Sequence, residues 1–163
     1  MSLPRPVPVL RPALEKDVAA LQDLARRTID ARYRSFLGDE GVDWFIDSGA
    51  SDDHIESHFR EGRLHCLEEG EDLVGLLIAE ESTVDLLMID VARQRQGLGK
   101  LLLTKAEQLL FAAYEEIRLE TFASNVAAVA FYEACGWSST GRLEAEGPER
   151  LEFRRHRESA GAS

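Results

Sequence analysis

The amino-acid sequence predicts an α+β fold: one mixed central sheet of about six to seven strands, flanked by about four helices. Three observations carry this. Runs with two-residue apolar alternation and runs with helical spacing interleave along the chain, in the order β-α-α-β-β-β-α-β-α-β-β. The strand-like runs at 64–68, 73–80 and 83–89 are joined by connections so short that the strands must be antiparallel neighbours. The third of these runs passes through Gln94-Arg95-Gln96-Gly97-Leu98-Gly99-Lys100 directly into Leu101-Leu102-Leu103, a strand, a glycine turn and a helix.

The elements follow in order. Val7 to Leu10 is a short apolar run between prolines, suited to an edge strand. Leu14, Val18, Leu21, Leu24 and Ile29 are spaced as one face of a helix, with Glu15 and Asp17 in its first turn and Arg26 and Arg27 towards its end. Gly38, Gly41 and Gly49 interrupt residues 30–62, where short helices are expected around Val42 to Ile46 and Asp52 to Phe59; such a segment suits a substrate lid. Glu69-Gly70-Glu71 makes a hairpin between the first two central strands, and Gly75 in the second marks either a bulge or a close packing contact. After the glycine turn, Leu98, Leu101, Leu102, Leu109 and Ala113 line one helical face, with Leu103 and Leu110 beside it. Ile117 to Phe122 alternates as a strand, and Asn125 opens a helix that Gly136 stops. Trp137 to Leu143 and Leu151 to His156 are the last strands, joined through Glu146-Gly147-Pro148-Glu149.

At 163 residues the chain reads as one domain over residues 7–157, between a flexible start at 1–6 and a disordered tail at 158–163. A hydrophobic content of 44% with 30% charged residues is that of a globular domain able to bury a core. The net charge of −11 argues against a nucleic-acid partner and suits either a cationic substrate or simply a well-solvated surface. Cys66 and Cys135 lack metal-type spacing and read as small core residues of a protein in a reducing compartment. No apolar run approaches the roughly 20 residues of a membrane span, and the first residues lack the apolar stretch of a signal peptide. The expected location is therefore cytoplasmic, with no membrane partner.

The glycine turn carries the first chemical signal. The opening N–H groups of a helix have no intrahelical acceptor, and the aligned peptide dipoles leave partial positive charge there. Gly97 and Gly99 remove Cβ atoms that would hold a phosphate away from the backbone. Taken alone, the same residues could equally be a tight turn between a strand and a helix. The pattern lacks the Lys-Ser/Thr ending of a P-loop and the spacing of a dinucleotide fingerprint, which disfavours a nucleotide-binding module.

Gln94-Arg95-Gln96-Gly97-Leu98-Gly99 resembles the Arg/Gln-x-x-Gly-x-Gly/Ala motif of the GNAT N-acetyltransferase superfamily. Asn125 and the run Phe131-Tyr132-Glu133-Ala134-Cys135-Gly136-Trp137 are similar to the family's second motif, and Leu10-Arg11-Pro12-Ala13 to its usual start. The likeness spans about residues 7–157; Val91 stands where many members have proline, and residues 30–62 match no motif. The resemblance implies a sheet splayed between strands four and five. It also implies acetyl-CoA as acyl donor, with a direct transfer to a primary amine on a small molecule, peptide or protein. Its pyrophosphate would lie on the N–H groups of Arg95, Gln96, Gly97, Leu98, Gly99 and Lys100. Its pantetheine would pair with Leu87, Met88 and Ile89, the Ile89 amide lying near the acetyl carbonyl, and Asn125 would hydrogen-bond the cofactor. The resemblance also allows a homodimer.

By the same resemblance Tyr132 is the general acid for the departing sulfur, a role that a phenol of pKa about 10 can fill at neutral pH; the other reading is a core aromatic. Glu120 matches a position that serves as general base in some members, although it could be an ordinary strand carboxylate, with Asp85 and Glu80 as substitutes. His54, His58, His65 and His156 form no recognisable ligand set in the sequence, so no metal is expected. The alternative function is a non-catalytic acyl-CoA-binding or regulatory domain on the same scaffold, for which a proton donor at Tyr132 would have no use.

Overall fold

The computed structural model describes residues 4–143 and 147–158, so residues 1–3 of the expected flexible start at 1–6, residues 159–163 of the expected tail at 158–163, and Glu146 of the last connection lie outside the described residues. The chain runs β1 (Val9–Pro12), a 3-10 turn (Glu15–Asp17), α1 (Val18–Arg32), α2 (Arg34–Asp47), α3 (Ala50–Arg60), β2 (Leu64–Glu69), β3 (Asp72–Glu80) and β4 (Thr83–Ile89). A second 3-10 turn (Val91–Arg93), α4 (Leu98–Phe111), β5 (Glu116–Phe122), α5 (Val126–Ala134), β6 (Ser138–Leu143) and β7 (Arg150–His156) complete it. The seven strands form one sheet in the order β1-β2-β3-β4-β5-β7-β6. Among the described residues only β4 and β5 pair in parallel, as expected where a helix makes the connection.

Two cores form, one on each face of the sheet. One packs α4 and α5 against Leu67, Val74, Leu77, Val84, Ile89, Ile117, Leu119 and Phe153. The other packs α1, α2 and α3 against Leu64, Cys66, Leu76, Ile78 and Met88. β1, the 3-10 turn before α1 and β2 are tied together by side-chain ion pairs. Asp17, only 6% exposed, accepts from the Leu14 N–H at 2.8 Å and pairs with Arg11 at 2.8 Å, whose Nε reaches Glu68 at 2.7 Å.

Some expectations are corrected. The first strand is Val9–Pro12 rather than Val7 to Leu10. Residues 30–62 hold two substantial helices, so the flanking helices number five among the described residues. Their glycines are punctuation: Gly38 has φ 79° at a kink in α2, and Gly49 has φ 83° just before α3. In α4 the buried stripe is Leu98, Leu102, Leu103, Ala106 and Leu110, whereas Leu109 is 42% exposed. The helix turns its three- and four-residue spacing towards β4 and β5, which leaves Leu109 outside that stripe.

Gly75 is both things it could have been. It adjoins a bulge, since Leu67 faces Gly75 but Glu68 faces Leu73, leaving Val74 as the extra residue. A Cβ on Gly75 would also lie 2.8 Å from Ile89 Cδ1 and 2.9 Å from the Met88 carbonyl oxygen.

Candidate active site

β4 and β5 pair at only two positions, Thr83 with Arg118 and Val84 with Leu119. Beyond Val84 the strands part, and the edge of β4 that faces β5 is left without a neighbouring strand. A second bulge falls at the same place: Ile78 faces Leu86 and Ala79 faces Val84, so Asp85 is the unpaired extra residue. Bulges increase twist and re-aim a side chain. Here the bulge turns β4 away from β5 and presents Asp85.

Antiparallel partners alternate between hydrogen-bonded and non-bonded pairs. The Asp90 N–H donates to the Val74 carbonyl at 2.9 Å, and Leu76 faces Met88 two residues along. The backbone groups of Met88 therefore serve the β3 ladder, while those of Leu87 and Ile89 turn towards the gap. The Ile89 carbonyl accepts from Gln94 Nε2 at 3.2 Å, which fits that orientation. The side chains divide as the alternation requires, with Leu87 and Ile89 in the α4 core and Met88 in the α1–α3 core.

The glycine turn lies at the end of this edge. Arg95 has φ 65° and Gly97 φ 78°, left-handed values that curl the chain ahead of α4. The Gly97 carbonyl accepts from the Leu101 N–H at 3.2 Å. The N–H groups of Leu98, Gly99 and Lys100 thus precede the first helical bond, and no side chain caps this end. A Cβ on Gly97 would meet no atom within 4 Å, so the turn opens onto free space. Gly99 faces the ring of Phe131, which sets the turn beside α5.

A cavity of about 650 Å³ extends from the gap across the α1–α3 side of the sheet. Its wall includes Leu87, Glu120, Asn125 and Tyr132 among the residues expected from sequence. Met88, Ile89 and the turn from Arg95 to Lys100 do not line it. Asn125 caps α5, its side chain accepting from the Ala128 N–H at 3.2 Å. Tyr132 packs against Phe153 and Trp137, with ring centroids 5.9 and 6.3 Å away. Burial raises the pKa of its phenol above the ordinary value, with Tyr33 and Cys135 adding to the effect. The end of α5 is fixed by Gly136 at φ 90°, by the Trp137 N–H donating to the Tyr132 carbonyl at 3.0 Å, and by Trp137 Nε1 donating to Glu107 at 2.9 Å.

Glu120 is exposed at the rim, on the β5 face opposite the α4 core. Glu80 pairs with Arg63 at 3.1 Å and lies outside the cavity wall. Asp85 joins the wall and accepts from His54 Nε2 at 2.7 Å. That hydrogen bond, opposed by partial burial and helped by the charges of His54, His58 and Arg150, holds its carboxyl below the usual carboxylate range. The structure also brings in Tyr33, Trp44 and Phe45 from the helical segment, and α2 reaches β5 where Phe36 meets Phe122 at 5.8 Å. These aromatic residues escape sequence reading because nothing local marks them; only the tertiary placement of α1 and α2 makes them a wall. Among the described residues, no helix is long and apolar enough to cross a membrane.

The sequence pattern of the acetyltransferase (GNAT) domain matches residues 34–147. No curated protein sequence matches the chain. Among solved structures, a GCN5-related N-acetyltransferase from Rhodopseudomonas palustris superimposes with a TM-score of 0.80 at 14% identity, over 96% of this chain and 99% of that one. The PaiA N-acetyltransferase from Thermoplasma acidophilum, solved in complex with coenzyme A, gives 0.74 at 17% identity over 90% of this chain and 98% of that one. YncA from Salmonella typhimurium, solved with its cofactor acetyl-CoA, gives 0.68 at 16% identity over 96% and 98%. At such identities these likenesses establish the shared fold, while the domain pattern covers more than half of the sequence, and the chain belongs to the GNAT acetyltransferase family.

Proposed function

We propose that this protein is an acetyl-CoA-dependent N-acetyltransferase that moves the acetyl group directly to a primary amine. One observation carries the reading: the β4–β5 ladder stops after two residue pairs, and Tyr132 stands in the wall of the cavity that the gap opens. The residues present fit the cofactor. The N–H groups of Leu98, Gly99 and Lys100 suit a pyrophosphate, with Arg95, Gln96 and Gly97 shaping the turn. The outward groups of Leu87 and Ile89 suit an added strand-like pantetheine, with Met88 anchoring that strand to β3, and Asn125 stands at the cavity wall beside them.

Acetyl-CoA supplies an activated thioester carbonyl and a sulfur leaving group. The chain's own work is to position and to move protons. The Ile89 N–H, facing the gap, is a donor for negative charge developing on the carbonyl oxygen. Tyr132 keeps its proton well above neutral pH, the state a general acid needs. Glu120 is the base, taking the amine's proton directly or through water. Asp85, kept ionised by its partners, is suited to holding a cation rather than to taking a proton. With Glu120 and the rings of Tyr33, Trp44 and Phe45, it makes a wall that favours a cationic amine. The proposed setting is the cytoplasm, and a homodimer is the oligomer that the family relationship suggests.

The test is thiol release over an amine panel with wild type and Tyr132→Phe, alongside acetyl-CoA binding by calorimetry. The substitution is expected to lower kcat by about a hundredfold with little change in acetyl-CoA affinity. Since the phenol is pushed upward, the wild-type rate should show no alkaline loss from Tyr132 below about pH 10. Equal turnover in the two proteins removes the acid role; no acetyl-CoA binding by wild type removes the reading itself.

A further inference from the structure

Beside the cavity stands a cluster to which the acetyl step assigns no proton transfer: His54 and Asp85 in the wall, and His58 next to them on α3. His54 and His58 stand one turn apart on α3, with ring centroids 4.4 Å from each other. His54 Nε2 contacts Asp85 Oδ2 at 2.7 Å. One ligand atom from each of the three residues lies within 4.8 Å of the other two. Bonds of about 2.0–2.2 Å from nitrogen or oxygen to zinc place two ligands on one ion no more than about 4.4 Å apart. The three donor atoms stand just outside that spacing, and adjustment of the side chains around an ion would complete it.

Two further features prepare these residues for an ion. His58 Nδ1 lies 2.8 Å from the His54 carbonyl oxygen. A carbonyl oxygen only accepts, so Nδ1 carries the proton and Nε2 keeps its lone pair. A backbone carbonyl on the other ring nitrogen is the outer partner that fixes a metal-binding histidine in its working tautomer. Asp85, for its part, is the extra residue of the β4 bulge and touches α3 through His54. Glu120 and Arg150 are the other charged groups in this wall, one of each sign, so the charge facing an incoming ion remains that of Asp85.

We infer that His54, His58 and Asp85 form a three-ligand site for one zinc ion, with its remaining coordination open to the cavity. Two imidazoles and one carboxylate suit zinc rather than magnesium or calcium, which favour all-oxygen sites. Three protein ligands leave a position for water, or for a donor atom of a bound acceptor. On binding, the proton that His54 Nε2 shares with Asp85 moves to the other ring nitrogen, Nδ1, which leaves Nε2 a neutral lone-pair donor to the ion; the Nδ1 proton of His58 stays in its hydrogen bond to the His54 carbonyl.

The metal-free protein is titrated with zinc by calorimetry and by competition with a chromophoric chelator, without acyl donor. Failure here therefore leaves the acetyl-transfer reading untouched. One zinc ion per chain is expected, undisturbed by excess magnesium. His58→Ala and Asp85→Asn should each weaken binding by about tenfold or more, and the near-isosteric His58→Gln should match His58→Ala. His156→Ala, whose imidazole meets Glu116 at 2.8 Å at the far end of β7, should bind as wild type does. X-ray absorption should show nitrogen and oxygen at about 2.0–2.2 Å and no sulfur. No zinc binding by wild type, unchanged affinity in the folded His58 and Asp85 variants, or sulfur among the ligands would each overturn the site.

Discussion

The carboxyl group of Asp17 is held below the usual carboxylate range, chiefly by the hydrogen bond from Arg11 and secondarily by the Leu14 N–H, against the opposing effect of burial. A group whose folded pKa is depressed contributes stability above the ordinary carboxylate range, and that contribution is lost as pH falls through the folded value. Asp17→Asn should therefore cost about 1–3 kcal/mol near neutral pH, since it leaves Arg11 and Glu68 without their third member. The gap between variant and wild type should narrow at about pH 3, as measured by urea unfolding at both pH values. Residues of this kind differ in how far sequence reveals them. Tyr132 and Asn125 sit at fixed spacings within one motif, and that motif is what proposes them as site residues. The contact between His54 and Asp85 joins residues 31 positions apart on different elements. A lone histidine pair on a helix is ordinarily a solvated face, and only folding supplies its third member.

At the scale of elements, β3 pairs with β4 along the gap, and a side chain at Gly75 would press directly on β4. An alanine there would bring its Cβ within 2.9 Å of the Met88 carbonyl oxygen, which is backbone and cannot swing aside. Gly75→Ala is expected to destabilise the protein by about 1–3 kcal/mol and to weaken acetyl-CoA binding, because relief requires β4 to shift. Urea unfolding and calorimetry check both, and a variant with wild-type stability and affinity would show that the strands yield freely. The strands themselves are legible in the sequence because their apolar alternation is local. The helices over residues 34–60 are harder to read. Gly38 and Gly49 look like loop punctuation, and among the described residues Val42 is the one fully buried side chain of α2. A helix with so narrow a buried face leaves little periodic signal.

For the molecule as a whole, the sheet divides two cores, and the gap between β4 and β5 lets the cavity on one face reach Tyr132 of α5 on the other. The net charge of −11 surrounds a wall that contributes Asp85 and Glu120. Long-range attraction of a cationic acceptor should therefore fade with salt, as the screening length falls from about 30 Å at 0.01 M to about 8 Å at 0.15 M. A drop of about three- to tenfold in kcat/KM is expected for a multiply charged amine over that range, with little change for a neutral competitor. Steady-state kinetics at the two salt concentrations decides it, and a flat response would mean that the surface charge serves solvation alone. Net charge is readable at once from composition. The order β5-β7-β6, which slots the last strand inside the sheet, is not, because pairing between distant strands leaves no local trace.

The extra residue in β4 has a consequence for how this protein tolerates change in length. Val84 belongs to the α4 core, and so do Leu87 and Ile89, although 84 and 87 differ by an odd number. Strict alternation would put them on opposite faces. Asp85 acts as a half-step in the strand's rhythm, and everything after it is written in the opposite phase. Removing Asp85 is thus a different operation from replacing it. Asp85→Ala keeps the phase and should fold near wild-type stability. Deleting the residue would exchange the faces of Leu86 through Ile89, driving Met88 towards α4 and turning the backbone edge of Leu87 and Ile89 from the gap to β3. Thermal unfolding of the two variants, side by side, reads that difference: a deletion as stable as the substitution would show that β4 carries no such phase.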